Sequence, residues 1–156
     1  MSDDTEPLNI SQITDSLYIA ASPQGVHAPE IIERRVRLII SMLWIRPAEE
    51  FSQPPLELLQ LRSVDSPLFP IPIGSLTEGV NVALPVIEQG NRVMIYCRKG
   101  KHRSVAMTCC VLIGLGYSTA EAMRLVAEKR DVADPDIWYI RRRIEKFAEV
   151  WNNKQD

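Results

Sequence analysis

With 156 residues, 46% of them hydrophobic and 24% charged, the chain has the composition of one ordinary globular domain, long enough to bury a core without disulfides or structural metal. A formal net charge of −2 excludes a nucleic-acid-binding surface spread over the protein, and no run reaches the roughly 18 apolar residues of a membrane span. The three cysteines, Cys97, Cys109 and Cys110, have no metal-type spacing, and the start carries no secretory pattern, so a reducing, cytoplasmic setting is expected.

Residues 1–8 open polar and acidic (Met1-Ser2-Asp3-Asp4) and are expected to form a flexible tail ahead of a single domain over 9–152. Leu17 to Ala20 reads as a first short strand, broken by Ser22-Pro23. Pro29 to Arg35 suits a short helix with proline in its first turn. Arg37 to Leu43 is rich in branched apolar residues and reads as a buried parallel strand; Leu56 to Leu61 reads as another. Arg62 to Ile73, with three prolines and Asp65 as its one acidic residue, is expected to be an ordered loop.

Ser75-Leu76-Thr77-Glu78 has the form of a capping box and predicts a helix to about Gln89, with Pro85 as a possible kink. Gly90-Asn91 closes that helix, and Arg92 to Tyr96 is a further buried strand. Ser104 to Leu115 is apolar on nearly every side and predicts a central helix ending at Gly114 and Gly116. Ser118 to Glu121 is a second capping box, starting a helix to about Arg130. Asp134-Pro135 is read as the N-cap and first turn of a last helix to about Trp151. Alternating strands and helices give the fold class: α/β, with a central twisted, mostly parallel sheet and helices on both faces.

The stretch between the fourth predicted strand and the central helix concentrates the chemistry. Five of the six residues from Arg98 to Arg103 are Arg, Lys or His, so the positive charge is local and a small anion is the natural partner. Strand, cation-rich loop with a glycine, then helix is the layout of an anion cradle. Cys97 sits at its start. A thiol attacks phosphorus as the thiolate, and loop cations, inward backbone amides and the positive end of the following helix all favour that form. Gly100 permits a backbone angle closed to other residues. Arg103 offers a planar fork for two phosphate oxygens, and Ser104 can donate its hydroxyl to the sulfur.

Cys97, five residues, Arg103 and Ser104 form a Cys-x5-Arg-Ser pattern, and on it the chain resembles the cysteine-based dual-specificity protein tyrosine phosphatases. The resemblance extends over most of the chain, from Leu17-Tyr18-Ile19-Ala20 to the helical end. It implies a phosphatase-like fold, hydrolysis through a cysteinyl phosphate, and neither metal nor other cofactor. It also implies a general acid/base on a loop some thirty residues before the cysteine, and Asp65 precedes Cys97 by 32. One departure is plain: Tyr96 stands where the family usually has a histidine. The loop interior, Lys99-Gly100-Lys101-His102-Arg103, is also similar to that of atypical plant and fungal phosphatases of inositol pyrophosphates. That similarity implies Arg98, Lys99, Gly100, Lys101 and His102 as substrate-binding positions. The expected partner is a phosphorylated protein or a polyphosphorylated small molecule such as an inositol pyrophosphate or phosphoinositide, with no nucleic acid, no membrane and a monomeric state.

Two other functions fit the pattern. A rhodanese-type sulfurtransferase shares the Tyr-Cys-Arg-x-Gly opening, although such loops close sooner and give Asp65 no role. A noncatalytic phosphate-binding module is the other, for which Tyr96 speaks and the joint presence of Cys97, Arg103, Ser104 and Asp65 speaks against. Among the remaining residues, Cys109 and Cys110 are read as buried small hydrophobes and His27 as a surface or helix-start residue without a partner. Trp44, Trp138, Tyr139, Phe147 and Trp151 are read as core or helix packing, and Arg141-Arg142-Arg143 as a solvated helix face.

Overall fold

Continuous runs of branched apolar residues favour strands buried on both faces, and the computed structural model, which describes residues 6–155, has five strands. They are β1 Asn9–Gln12, β2 Leu17–Ala21, β3 Val36–Ser41, β4 Glu57–Gln60 and β5 Arg92–Cys97, in one sheet of order β1-β2-β5-β3-β4. β5 lies at the centre. It pairs in parallel with both β2 and β3, so Ile95 faces Ile19 on one side and Ile40 on the other. Every residue from Val93 to Cys97 is buried. β4 extends the parallel sheet beside β3, and β1 adds one antiparallel edge to β2. The sheet is therefore mixed but mostly parallel, as expected, with β1 as the strand the sequence concealed: Asn9-Ile10-Ser11-Gln12 carries one apolar residue and is recruited by pairing rather than by its own pattern.

The helices are α1 Ala28–Glu33, α2 Ile73–Glu88, α3 Arg103–Gly114, α4 Thr119–Lys129 and α5 Trp138–Gln155. α3 is the hub. It packs against α2, α4, α5 and the two strands β2 and β5, and all residues from Arg103 to Ile113 are buried. Cys109 and Cys110 lie inside it, and burial pushes both thiols up. α1 packs against β3, and Phe51, from a short 3-10 turn after β3, meets the Tyr96 ring edge-on at 6.1 Å.

Several boundaries differ from expectation, each for a local reason. α2 begins at Ile73 behind Pro72, and the Ser75 capping box does not form. Ser75 N–H already donates to the Pro72 carbonyl at 3.1 Å, so the serine sits inside the first turn. Pro85 is accommodated within α2. The second box does form, with Glu121 N–H donating to Ser118 Oγ at 3.1 Å and Ser118 N–H to Glu121 Oε1 at 3.0 Å. α5 begins at Trp138, not at Asp134-Pro135: the first carbonyl to accept helical bonds is that of Ile137, from Ile140 and Arg141 N–H at 3.0 and 2.9 Å, while the Asp134 N–H donates to the Lys101 carbonyl at 3.0 Å and ties its segment to the cation-rich loop.

The tail expectation for 1–8 falls mainly on residues 1–5, outside the described residues. Leu8 packs against the core. His27, expected at the surface without a partner, is buried. Its Nδ1 accepts from Gln24 N–H at 2.9 Å and its Nε2 donates to the Glu6 carbonyl at 2.8 Å. Of the aromatic residues assigned to packing, Phe147 is fully buried and stacks on Trp151, but Trp44 and Trp138 are 61% and 58% exposed. Among the described residues no helix is long and apolar enough to cross a membrane.

Candidate active site

β5 ends at Cys97 and α3 starts at Arg103, so the intervening loop connects a fixed strand end to a fixed helix start. Gly100 takes φ +64° within it, the left-handed conformation that glycine adopts without penalty. The carbonyls of this loop are fully engaged from outside. The Cys97 carbonyl accepts from Ser22 N–H at 2.9 Å and the Arg98 carbonyl from Ser22 Oγ at 2.7 Å. Arg130 serves the next two, with Nη2 donating to Lys99 at 3.0 Å and Nε to Gly100 at 2.8 Å. Asp134 N–H donates to Lys101 at 3.0 Å, and Ala106 N–H to His102 at 2.9 Å as the first helical bond of α3.

A loop whose carbonyls all point outward turns its amides inward, and a concave row of N–H groups is an anion nest. The Gly100 and Ser104 amides point at the Cys97 sulfur. Ser104 Oγ lies 3.1 Å from it. Burial by itself would raise the thiol's pKa, but the Ser104 hydroxyl, the two amides and the nearby Arg103 charge outweigh it and hold it below its ordinary value. The surroundings thus shift the thiol toward its thiolate form before any ligand arrives.

Arg103 is buried. Its Nη1 donates to the Ser63 carbonyl at 2.8 Å and the Met42 carbonyl at 3.3 Å; among the described residues no hydrogen bond uses Nε or Nη2. One edge of the fork is anchored and the other is free for phosphate oxygens. Ser63 Oγ in turn donates to the Met42 carbonyl at 2.7 Å, joining the ends of β3 and β4 beneath the arginine.

Asp65, Cys97, Arg98, Lys99, Lys101, His102 and Arg103 line one pocket of about 240 Å³. The loop after β4 brings Asp65 over the catalytic-type loop, where its Oδ2 is 2.9 Å from His102 Nδ1 and its Oδ1 accepts from the Tyr139 hydroxyl at 2.7 Å. Partial burial works to raise the carboxyl's pKa, but the Tyr139 and His102 hydrogen bonds and the His102 and Arg103 charges lower it overall. The Tyr139 hydroxyl is pushed up to about 12, by burial first and by Asp65 second. Gly100 lines no part of this pocket and lies instead against the Arg130 guanidinium. Arg98, Lys99 and Lys101 also line an adjoining groove of about 810 Å³ with Ser22, His27 and Asp131.

Sequence reasoning gathered the loop residues and Asp65 but missed Arg130, Tyr139, Ser22 and Ser63. Tyr139 was assigned to packing, and Arg130 gave no signal beyond ending a predicted helix. Tyr96, at the position before the cysteine, is buried, and burial raises its phenol above the ordinary range despite a hydrogen bond with Ser41.

No protein-family model and no curated protein sequence matches the chain. Solved structures do. A mouse putative dual specificity phosphatase, crystallised with zinc tungstate, superposes with TM-score 0.82 at 18% identity over 99% of this chain and 96% of that one. Human DUSP28 gives 0.82 at 20% identity over 94% and 97%. PTPMT1 in complex with PI(5)P gives 0.83 at 20% identity over 94% and 99%. The sheet order, the central helix and the strand–loop–helix passage at Cys97 are thus those of the dual-specificity phosphatase fold.

Proposed function

We propose that the protein is a metal-independent phosphatase that hydrolyses phosphomonoesters, phosphotyrosine and shorter phosphoserine or phosphothreonine side chains among them, through a cysteinyl-phosphate intermediate. The observation that carries this reading is the loop 97–102, its carbonyls all bonded outward and a thiolate-favouring cysteine at its centre. The Cys97 sulfur attacks phosphorus in line with the leaving oxygen. The S–P bond forms as the P–O bond breaks, and the departing oxygen takes a proton from Asp65. Inward amides and the free edge of Arg103 hold the equatorial oxygens, whose charge changes most in the transition state. Water then attacks phosphorus and passes its proton to Asp65, and the sulfur departs as a thiolate hydrogen-bonded to Ser104.

A second substrate reading rests on one specific observation. Arg98, Lys99 and Lys101 line both the pocket at Cys97 and the adjoining groove. A substrate carrying further phosphates, such as a phosphoinositide or an inositol pyrophosphate, has anions for those cations as well as for the nest. The PI(5)P complex of the similarly folded PTPMT1 adds support for a phosphoinositide.

The test is turnover of an aryl phosphate in the presence of a chelator, followed by a panel of phosphopeptides, phosphoinositides and inositol pyrophosphates. Cys97→Ser abolishes turnover and Asp65→Ala slows release of poor leaving groups most. Turnover that survives Cys97→Ser, or that needs added metal, overturns the mechanism.

A further inference from the structure

A general acid must hold a proton at the moment the leaving oxygen needs it. Asp65 is poorly placed to do so alone, since its carboxyl is held below the ordinary value of 3.8. For such a carboxyl fewer than about one in a thousand is protonated at neutral pH. Its surroundings supply what it lacks. His102 Nδ1 lies 2.9 Å from Oδ2, and an imidazole is the side chain that exchanges a proton with water near neutrality. The other ring nitrogen, Nε2, is buried without a hydrogen-bond partner among the described residues, 3.9 Å from Asp134 Oδ2.

We propose that His102 is the proton reservoir of the general acid: a positioning residue that supplies through Asp65 the proton the leaving oxygen takes, while the Tyr139 hydroxyl fixes the carboxylate in place. This rests on the phosphatase reading above and assigns a different role to His102 than direct contact with substrate.

The proton balance closes within the pair. Before reaction the imidazolium donates Nδ1–H to the Asp65 carboxylate. As the P–O bond breaks, the Nδ1 proton moves to the Asp65 carboxylate and on from it to the leaving oxygen, leaving neutral imidazole and the carboxylate. When water attacks the cysteinyl phosphate, its proton passes through Asp65 back to Nδ1. The pair carries one transferable proton in all. The charged and titratable groups around it come from each element that meets it. Asp65 reaches it from the loop after β4, Arg103 from the start of α3 and Tyr139 from α5. Asp134 reaches it from the segment before α5, and Lys101 lines the same pocket. The Tyr139 hydroxyl, 3.3 Å from Nδ1 and 2.7 Å from Oδ1, keeps ring and carboxylate in register.

The experiment compares kcat/KM against pH for the wild type, His102→Asn and Tyr139→Phe on two substrates, an aryl phosphate with a good leaving group and an alkyl phosphate with a poor one. His102→Asn is expected to move the basic limb to lower pH. It should slow the alkyl phosphate by roughly 100-fold or more, the share ordinarily carried by a placed acid, with a much smaller effect on the aryl phosphate. Tyr139→Phe keeps the ring and removes one donor to the carboxylate, so its basic limb moves to higher pH. Opposite shifts from neighbouring residues are not the signature of general loop damage. An unmoved basic limb in His102→Asn, or equal losses on both substrates, overturns the reservoir. Should His102→Asn fail to fold by circular dichroism, the Tyr139→Phe limb decides: no upward shift overturns it. A wild type inactive on both phosphates, or turnover surviving Cys97→Ser, would instead refute the underlying phosphatase reading.

Discussion

Replacing Arg130 with methionine removes a guanidinium and keeps much of the apolar stem. The side chain is 3% exposed and makes three hydrogen bonds, to the Lys99 and Gly100 carbonyls and to Ser11 Oγ, at 3.0, 2.8 and 3.0 Å. A hydrogen bond to a charged group contributes roughly 1.5–3 kcal/mol. Lys99 is exposed, so its carbonyl can turn to water, whereas Gly100 is buried and its carbonyl is left without a donor. We therefore take about 3 kcal/mol as the cost, below the sum of the three bonds. For a domain of this length each kcal/mol moves Tm by roughly 2–4 °C, giving a fall of about 6–12 °C. The functional loss is separate. If the carbonyls of Lys99 and Gly100 rotate toward new donors, the amides leave their inward positions, and a displacement of about 1 Å at a catalytic loop costs on the order of 100-fold. Thermal unfolding and kcat/KM on an aryl phosphate measure the two effects independently. A Tm change within about 2 °C together with an unchanged kcat/KM would refute the argument that outward donors hold the amides inward.

Three further outcomes follow from the same geometry. Iodoacetamide at about neutral pH modifies Cys97 well before Cys109 and Cys110, because the Cys97 thiol is lowered and the other two are raised; peptide mass spectrometry reads the order, and inorganic phosphate slows the first event. Asp65, lowered from 3.8, stabilises the fold above its unfolded-state pKa, and this contribution is lost as pH falls through the lower folded-state value. The Tm difference between wild type and Asp65→Asn is therefore present at neutral pH and closes on acidification below about 4, a trend that scanning calorimetry follows directly. Lys99→Ala and Lys101→Ala lower kcat/KM for a substrate with several phosphates by at least about 10-fold more than for an aryl phosphate, about one charge-assisted contact; equal effects on both substrates would refute the groove as an extension of the site.

The sheet was legible wherever its strands are buried on both faces, because Leu38-Ile39-Ile40 and Val93-Met94-Ile95 leave little choice but a central parallel strand. β1 was not, since an edge strand is selected by the backbone groups of β2 that it pairs and Asn9-Ile10-Ser11-Gln12 carries almost no pattern of its own. Capping boxes were legible only where the serine is free to act. Ser118 caps α4 because no earlier residue starts the helix, whereas Pro72, with φ −60° already set, starts α2 before Ser75 can.

The site divides along the same line. The proposed nucleophile, arginine fork and serine come from eight consecutive residues, Cys97 to Ser104, so a local pattern contains them together with the strand end and helix start that orient them. What holds them comes from elsewhere: Ser22 and Arg130 on the loop carbonyls, Ser63 beneath Arg103, Tyr139 on Asp65. These are ordinary residue types, and their sequence separations from the groups they hold run from 30 to 76. They have no motif because the fold, not the chain, makes them neighbours. A nest of inward amides cannot exist without outward carbonyls, and buried carbonyls need donors. A Cys-x5-Arg run in a protein lacking such donors would have the residues of this loop without its geometry. The donors around the loop, more than the motif itself, separate the proposed phosphate cradle from a chance spacing of cysteine and arginine.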